Sequence, residues 1–478
     1  MTFIVEQFLY TVFVLSAAYY FMSALQWYSY KLERIIFHYH RYDWHVYFFL
    51  IPLLAHYVLM APYSYILYSV YPLTIFLWAR KIDKKLVFTG RVKRYGLFLG
   101  LILLLQIMVY ARCEVCGKLG VIIPLFLAHL LSLVFETIAF EGYKKEARKK
   151  LALQSNMKVI AITASYGKTS IKNFLAQILS TTFSVYATPR SVNTLGGIVK
   201  DINENLPPLS EIYIVEAGAR AKGDIYDITT LVHPHIAIVG SIGEQHIEYF
   251  KTLDNIRNTK MELLASNRLE KAFVHTSAHV LENEKVILFG DDIEDLKATL
   301  EGISFSLTLD GQKTDFTCNL LGGFNAINLA AAIHVAYALG VPVFKIQEAI
   351  SKLKGVEHRL QKIEAGGKLI IDDSFNGNLE GMLSSYELVS TYSGRKVIIT
   401  PGLVESTPEA NALIAQKMDT VFDMVIITGK SNLAVLDENI HHAEKIILHD
   451  KALLQSLLAE KTLFGDLILF SNDAPSFV

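Results

Sequence analysis

The chain has 478 residues, room for about three domains. Its 45 Lys+Arg balance 46 Asp+Glu to a formal net charge of -1, which gives no reason to expect nucleic acid as a partner. Yet 52% of the residues are hydrophobic and the mean hydropathy is +0.33, too apolar for an ordinary soluble enzyme, while three cysteines make no disulfide framework.

The apolar excess sits at the N-terminus. Residues 7–30, 44–79, 95–111 and 119–135 contain no Asp, Glu, Lys or Arg. A helix needs about 20 apolar residues to cross roughly 30 Å of hydrocarbon, so the run 44–79 reads as two spans turning at Ala61-Pro62-Tyr63-Ser64, and about five transmembrane helices are expected. The connections 29–43, 80–94 and 144–150 carry 3, 7 and 5 Lys or Arg, against Arg112 and Lys118 on the other side. Basic loops are retained in the cytoplasm, so the N-terminus is expected outside and everything after Lys144 in the cytoplasm, as in a multi-pass protein of a bacterial inner membrane. No basic segment precedes the first run, so a cleaved signal peptide is not expected. The loop 80–94 reads as a retention signal, with lipid head-group binding as an additional reading. Cys113 and Cys116 would lie on the outer face, where they could pair; two ligands alone make no zinc site.

From about Lys144 short apolar runs alternate with amphipathic stretches, the pattern of βαβ units. KVIAIT (158–163) reads as a buried strand, followed by a loop and a helix from about Thr169 to Ser180. EIYIVEAG (211–218), HIAIVGSIG (235–243) and KAFVHT (271–276) repeat the strand signal, so residues 144–355 are expected to form a largely parallel α/β sheet. A second, Rossmann-like α/β domain is expected over 356–478, with strands at 368–374, 395–400, 423–428, 444–449 and 466–471.

ITASYGKTS (162–170) follows the first strand. A tight turn between strand and helix aims backbone N–H groups at one point, where the helix dipole also favours negative charge. Ser165, Gly167, Lys168, Thr169 and Ser170 are therefore the candidate phosphate-binding residues, with Lys168 supplying charge and the Thr169 hydroxyl a ligand for Mg2+. Ile162 and Ala164 stand where the full pattern has room for glycine, which is tolerable if residue 164 keeps an allowed backbone conformation. The structural alternative is a chance GKTS at a helix start. Phosphoryl transfer needs further hard ligands at neighbouring strand ends, and Glu216 and His246 occupy such places. Alone, Glu216 could cap a helix and His246 could be structural. Together with Lys168 and Thr169 they mark three strand ends converging on one crevice.

ITASYGKTSIKNF, TPRSVNTLGG (188–197), VEAGARAKGDI (215–225), IGEQHIEYFKTLDNIRNTKMEL (242–263), GGFNAINLAAA (322–332), EHRLQ (357–361) and IIDDSFNGN (370–378) occur in the order and approximate spacing seen in the Mur ligases, which residues 155–478 therefore resemble. DDSFNGN with HRLQ favours the branch that joins D-alanyl-D-alanine to a UDP-N-acetylmuramoyl-tripeptide in peptidoglycan precursor synthesis. The resemblance implies that ATP and Mg2+ are the cofactors and that Thr169, Glu216 and His246 coordinate metal. It makes Lys260 a lysine that becomes carbamylated to ligate a second Mg2+. It assigns Asn325 and Asn328 to the adenine, Arg359, Asp372 and Asp373 to phosphate and ribose, and Asn193, Thr194, Ser374, Asn376 and Asn378 to substrate. Lys168, Lys260, His246 and Arg359 are its catalytic candidates.

Taken alone, Lys260 could be a solvated surface residue, and Asp372 and Asp373 could simply end a strand. Ala164, Tyr166, Phe324, His358 and Leu379 depart from the family's usual residues without removing a charged or metal-binding group. In the family a soluble N-terminal domain grips the uridine diphosphate; here apolar helices occupy its place. Recognition by the loops 29–43 and 80–94 or by the central domain is expected instead, with the membrane part bringing the ligase near other wall-synthesis enzymes. Two alternatives are a membrane-bound ligase of poly-glutamate type and an ATP-gated transporter or scaffold. DDSFNGN and HRLQ speak against the first, and the absence of charges within the apolar runs, Glu136 near one end apart, against the second.

Overall fold

The computed structural model describes residues 3–28, 30, 32, 35, 42–82, 84–112, 120–245, 247–375, 377–404, 406–429 and 431–472. Cys113, Cys116, His246 and Asn376 lie outside them. The chain divides into two compact units, Met1–Tyr143 and Lys144–Val478.

The first unit is helical. α1 (Phe3–Trp27) is followed by helical turns from 42 to 58, then α2 (Tyr63–Lys81), α3 (Gly90–Tyr110) and α4 (Ile122–Leu153). The break between 58 and 63 falls at the expected Ala61-Pro62 turn. Three of these helices, α1, α3 and α4, are long and apolar enough to cross a membrane. The apolar stretch of α1 is 61% buried, against 22% and 28% in α3 and α4, so α1 is the central helix of this unit. Aromatic rings pack it in place: Phe13 meets Tyr68 and Tyr71 at 5.1 Å, and Tyr20 meets Trp78 at 4.9 Å. Such ring pairs add about 0.5–1.5 kcal/mol beyond area burial.

The second unit contains three sheets. The first of two six-stranded sheets has the order β2-β3-β1-β4-β5-β6, with every pairing parallel. Its strands are β1 (Lys158–Thr163), β2 (Val185–Ala187), β3 (Ile212–Glu216), β4 (Ile236–Val239), β5 (Lys271–His275) and β6 (Val286–Phe289). β1, β3 and β4 are buried almost throughout, as a parallel sheet covered on both faces requires. α5 (Lys168–Leu179) packs Ile171, Phe174, Leu175 and Ile178 into the core beside α9 (Phe324–Ala338), whose small residues Ala330, Ala331 and Ala332 are fully buried. Between them in sequence come α6 (Leu195–Glu204), α7 (Asp224–Val232) and α8 (Leu253–Met261).

A three-stranded antiparallel sheet, β7 (Ile293–Thr299), β8 (Gly302–Leu309) and β9 (Gln312–Cys318), was not expected from the strand signals. The C-terminal sheet runs β10-β11-β15-β12-β13-β14. β10 (Gln361–Ala365) is antiparallel to β11 (Lys368–Asp373), while β12 (Lys396–Thr400), β13 (Met424–Ile427), β14 (Glu444–Ile447) and β15 (Leu467–Ser471) are parallel. α10 (Leu379–Ser390) follows β11. All five strands expected in this region are present within two residues of their expected ends.

Candidate functional site

β1 has β3 on one side and β4 on the other, so the chain leaves the sheet in opposite directions at this point, the position where open parallel sheets bind ligands. The loop after β1 turns into α5 through Gly167, whose φ is 80°. Ala164 is not among the residues with positive φ, so no glycine is needed there. A side chain at Gly167 would meet Asn328 Oδ1 at 2.1 Å. The turn is therefore shaped for glycine twice, by backbone angle and by its neighbour.

Lys168 Nζ donates to the carbonyls of Ala164 and Ser165, at 2.7 and 3.0 Å, and to Gln245 Oε1 at 3.2 Å. The last contact joins the β1 loop to the loop after β4. Thr169 Oγ1 donates to Glu216 at the end of β3, 3.0 Å from Oε2 and 3.2 Å from Oε1. Asn193 Nδ2 donates to Glu216 Oε1 at 3.1 Å. The ends of three adjacent strands thus share one set of polar contacts. A hydroxyl and a carboxylate side by side form the oxygen-rich donor pair that Mg2+ takes, so these residues fit that ion.

Charge accumulates here under burial. Desolvation pulls the Lys168 ammonium down to about 8, with Glu216 opposing and Arg359 adding to the shift. Lys260 is 3% exposed on α8. Burial, then the nearby Lys168 charge, hold it well below the usual lysine range against Asp224 and Glu262. Lys260 is therefore not a solvated surface residue. Arg359 is also lowered by burial, against the attraction of Glu216 and Asp373. Its guanidinium stacks 5.0 Å from the Phe375 ring. Arg359 precedes β10 in the C-terminal part, so its coupling to Glu216 brings the two sheets' chemistry to one place.

Beside the loop lies a cleft of about 820 Å³ lined by Ser170, Phe174, Asn325, Arg359 and the segment 353–357, among others. Asn325 anchors itself through Nδ2 to the Leu321 carbonyl, and Asn328 Nδ2 donates to Asn325 Oδ1 at 3.0 Å. Asn325 thus faces the cleft while Asn328 abuts the phosphate loop. Ser165 is buried and donates to the Gly243 carbonyl. Asp372 is engaged by His358 Nδ1 at 2.7 Å and by the Ser374 hydroxyl at 2.5 Å, whereas burial lifts the Asp373 carboxyl to about 7 despite Arg359. Thr194 and Asn378 cap α6 and α10. Their hydroxyl and amide oxygens accept from backbone N–H groups, so both hold helix ends in this structure.

Two participants had not been singled out, and a third, His358, is named above only as a departure from the family's usual residue. Lys172, one helical turn beyond Lys168, forms an ion pair with Glu216 Oε2 at 3.2 Å with both side chains 1% exposed. Removing one member of such a pair costs about 3–5 kcal/mol. Gln245 lies within the motif 242–263, but an uncharged side chain beside His246 carries no signal of a role of its own. His358 adopts φ 61°, a conformation that suits the glycine it replaces, and its ring bonds Asp372. A lysine in position i+4 from Lys168, on the same helix face, was the available signal for Lys172.

The Mur ligase middle domain matches residues 162–336. The UDP-N-acetylmuramoyl-tripeptide--D-alanyl-D-alanine ligase of Escherichia coli (strain K12) is 26% identical over 341 residues, covering 66% of this chain and 75% of that relative. The enzyme of that name from Bacillus subtilis (strain 168) is 26% identical over 367 residues, 72% of this chain and 78% of its own. Among solved structures, MurF from Acinetobacter baumannii superposes with TM-score 0.61 at 23% identity, covering 69% of this chain and 77% of that one. MurF ligase from Thermotoga maritima in complex with ADP gives 0.60 at 24%, covering 70% and 80%. These structures share the fold.

Proposed function

We propose that this chain, whose residues 162–336 carry a Mur ligase middle domain, is an ATP-dependent amide ligase that adds D-alanyl-D-alanine to UDP-N-acetylmuramoyl-tripeptide in peptidoglycan precursor synthesis. The observation that carries this reading is the convergence of Lys168, Thr169 and Glu216 on one crevice with Arg359 from the C-terminal part coupled to it. The names of the Escherichia coli and Bacillus subtilis relatives supply the substrates.

The tripeptide's terminal carboxylate oxygen attacks the γ-phosphorus of ATP, and ADP leaves. The amine of the dipeptide then attacks the acyl carbon of the resulting acyl phosphate, loses a proton, and phosphate departs as the amide forms. Both steps build negative charge on oxygen. Lys168, released from the Ala164 and Ser165 carbonyls, follows that charge, and the N-terminus of α5 adds its dipole. Thr169 and Glu216 would hold Mg2+, which when bound supplies Lewis-acid stabilisation of the phosphates. Lys260, whose charged form burial disfavours, is suited to take up carbon dioxide and become an anionic ligand. Arg359 closes over the phosphates and keeps water from the acyl phosphate. Asn325 lies where the adenine enters, and Asp373 is the member of its acidic pair left for the ribose. His246, Asn193, Thr194, Ser374, Asn376 and Asn378 keep the metal and substrate roles that the motif order suggests.

In this reading residues 1–143 form a membrane domain of five spans with the N-terminus outside, and 144–355 and 356–478 are the two cytoplasmic ligase domains. ADP release by the full-length protein, with UDP-muramoyl-tripeptide and with or without D-alanyl-D-alanine, tests the reaction. Release that depends on both substrates is expected, and release indifferent to the dipeptide rejects it.

A further inference from the structure

We infer that Lys172 is a positioning residue that fixes the Glu216 carboxylate as a metal ligand and ties the loop 188–194 to it, an inference that rests on the ligase reading above. Lys172 is 1% exposed on a helix whose neighbouring residues Ile171, Phe174 and Leu175 enter the apolar core. A buried ammonium is costly unless paired. Its partners are Glu216 Oε2 and the carbonyl of Arg190, to which Nζ donates.

Those partners are not incidental. Glu216 takes hydrogen bonds from Thr169 and Asn193 as well as from Lys172. Three donors on a group with about four acceptor positions hold the carboxylate in one orientation and leave little freedom to rotate away from a cation. Arg190 sits at φ 46°, a left-handed conformation unusual for a residue with a side chain, and the Lys172 ammonium caps the carbonyl of that turn. Three residues later the same loop returns to the site: the Asn193 amide reaches Glu216, and its carbonyl accepts from Gly218 N at 2.7 Å. One ammonium therefore links the phosphate-loop helix, the metal carboxylate and the loop assigned to the peptide substrate. Groups that orient a metal ligand from behind are worth about 10–100-fold in metal affinity or activity.

The test compares full-length wild type, Lys172→Met and Lys172→Arg. Mn2+ binding in the presence of ADP is read by electron paramagnetic resonance, alongside separate KM values for ATP and UDP-muramoyl-tripeptide. Lys172→Met is expected to weaken Mn2+ binding about 10–100-fold and to raise KM for the tripeptide more than for ATP. Lys172→Arg restores most of both. A general loss of stability would lower the folded fraction without changing the Mn2+ affinity of what remains folded. If Lys172→Met does not fold, Lys172→Gln, which keeps an N–H donor, takes its place with a smaller shift in the same direction. Mn2+ affinity unchanged or tightened in a folded variant overturns the inference. Wild-type protein that binds Mn2+·ADP but releases no ADP with both substrates overturns the ligase reading instead.

Discussion

Gly167→Ala is the sharpest probe of the phosphate loop, because two separate penalties can be worked out for it. The left-handed backbone at φ 80° costs an alanine about 1–2 kcal/mol. The new methyl group would stand 2.1 Å from Asn328 Oδ1, so Asn328 must swing away and lose its bond to Asn325 Oδ1, about 1 kcal/mol more. The expected total is about 2–3 kcal/mol, from the sum of these two effects. Denaturant unfolding of the full-length protein, followed through its near-ultraviolet signal, measures it. The same substitution in an Asn328→Ala background should cost only the backbone part, so a coupling of about 1 kcal/mol is expected between the two sites. Equal costs in both backgrounds would refute the contact, and no cost in either would refute the left-handed turn. ADP affinity should fall with Gly167→Ala in both.

The remaining predictions concern the buried charges. Asp373 has its carboxyl raised to about 7 from the ordinary 3.8, so between those values the folded chain holds a proton that the unfolded chain has released. Its contribution makes stability fall as pH rises through that window and level off above 7; Asp373→Asn should flatten the slope, and an unchanged slope counts against the burial argument. Lys168, lowered to about 8 from 10.5, has the reverse effect: its neutral folded form makes stability rise with pH across that interval. In free enzyme kcat/KM for ATP should decline above about pH 8 as the ammonium is lost. Lys168→Arg, whose guanidinium stays charged, should be slower but lack that decline, and a persisting decline would assign it elsewhere. For Lys260, depleting carbon dioxide should cut ligation at least about tenfold, the low end for a disturbed metal site. Labelled bicarbonate should give a carbamate resonance absent from Lys260→Gln; no resonance in active enzyme rejects the modification.

Much of this molecule is local in origin. Uninterrupted apolar runs determine helices wherever they lie, because length and the lack of charge suffice. α1, α3 and α4 follow from that, as does the break at Ala61-Pro62. The buried parallel strands of both six-stranded sheets also announce themselves, since a strand covered on two faces must be apolar along its whole length. The phosphate loop is equally readable, because its chemistry comes from consecutive residues at a strand–helix junction. The antiparallel sheet was harder to see. β7 is largely exposed and polar, although the alternation of Ile303, Phe305, Leu307 and Leu309 in β8 was a period-two signal that could have been used. β2 is three residues long, too short for any periodicity.

What only the tertiary structure decided is which polar residues share space and which are taken out of water. Lys172 carries no signal of its own in sequence and Lys260 only that of its motif; the packing of α5 and α8 takes both out of water, one paired with Glu216 and the other with its charged form disfavoured by burial. Asp372 and Asp373 are neighbours on β11, yet alternation sends one to His358 and Ser374 and leaves the other beside Arg359. Sequence determines chemistry where the interacting groups are adjacent along the chain. Burial and long-range pairing, which set charge state and availability, depend on surfaces contributed by residues far away in it.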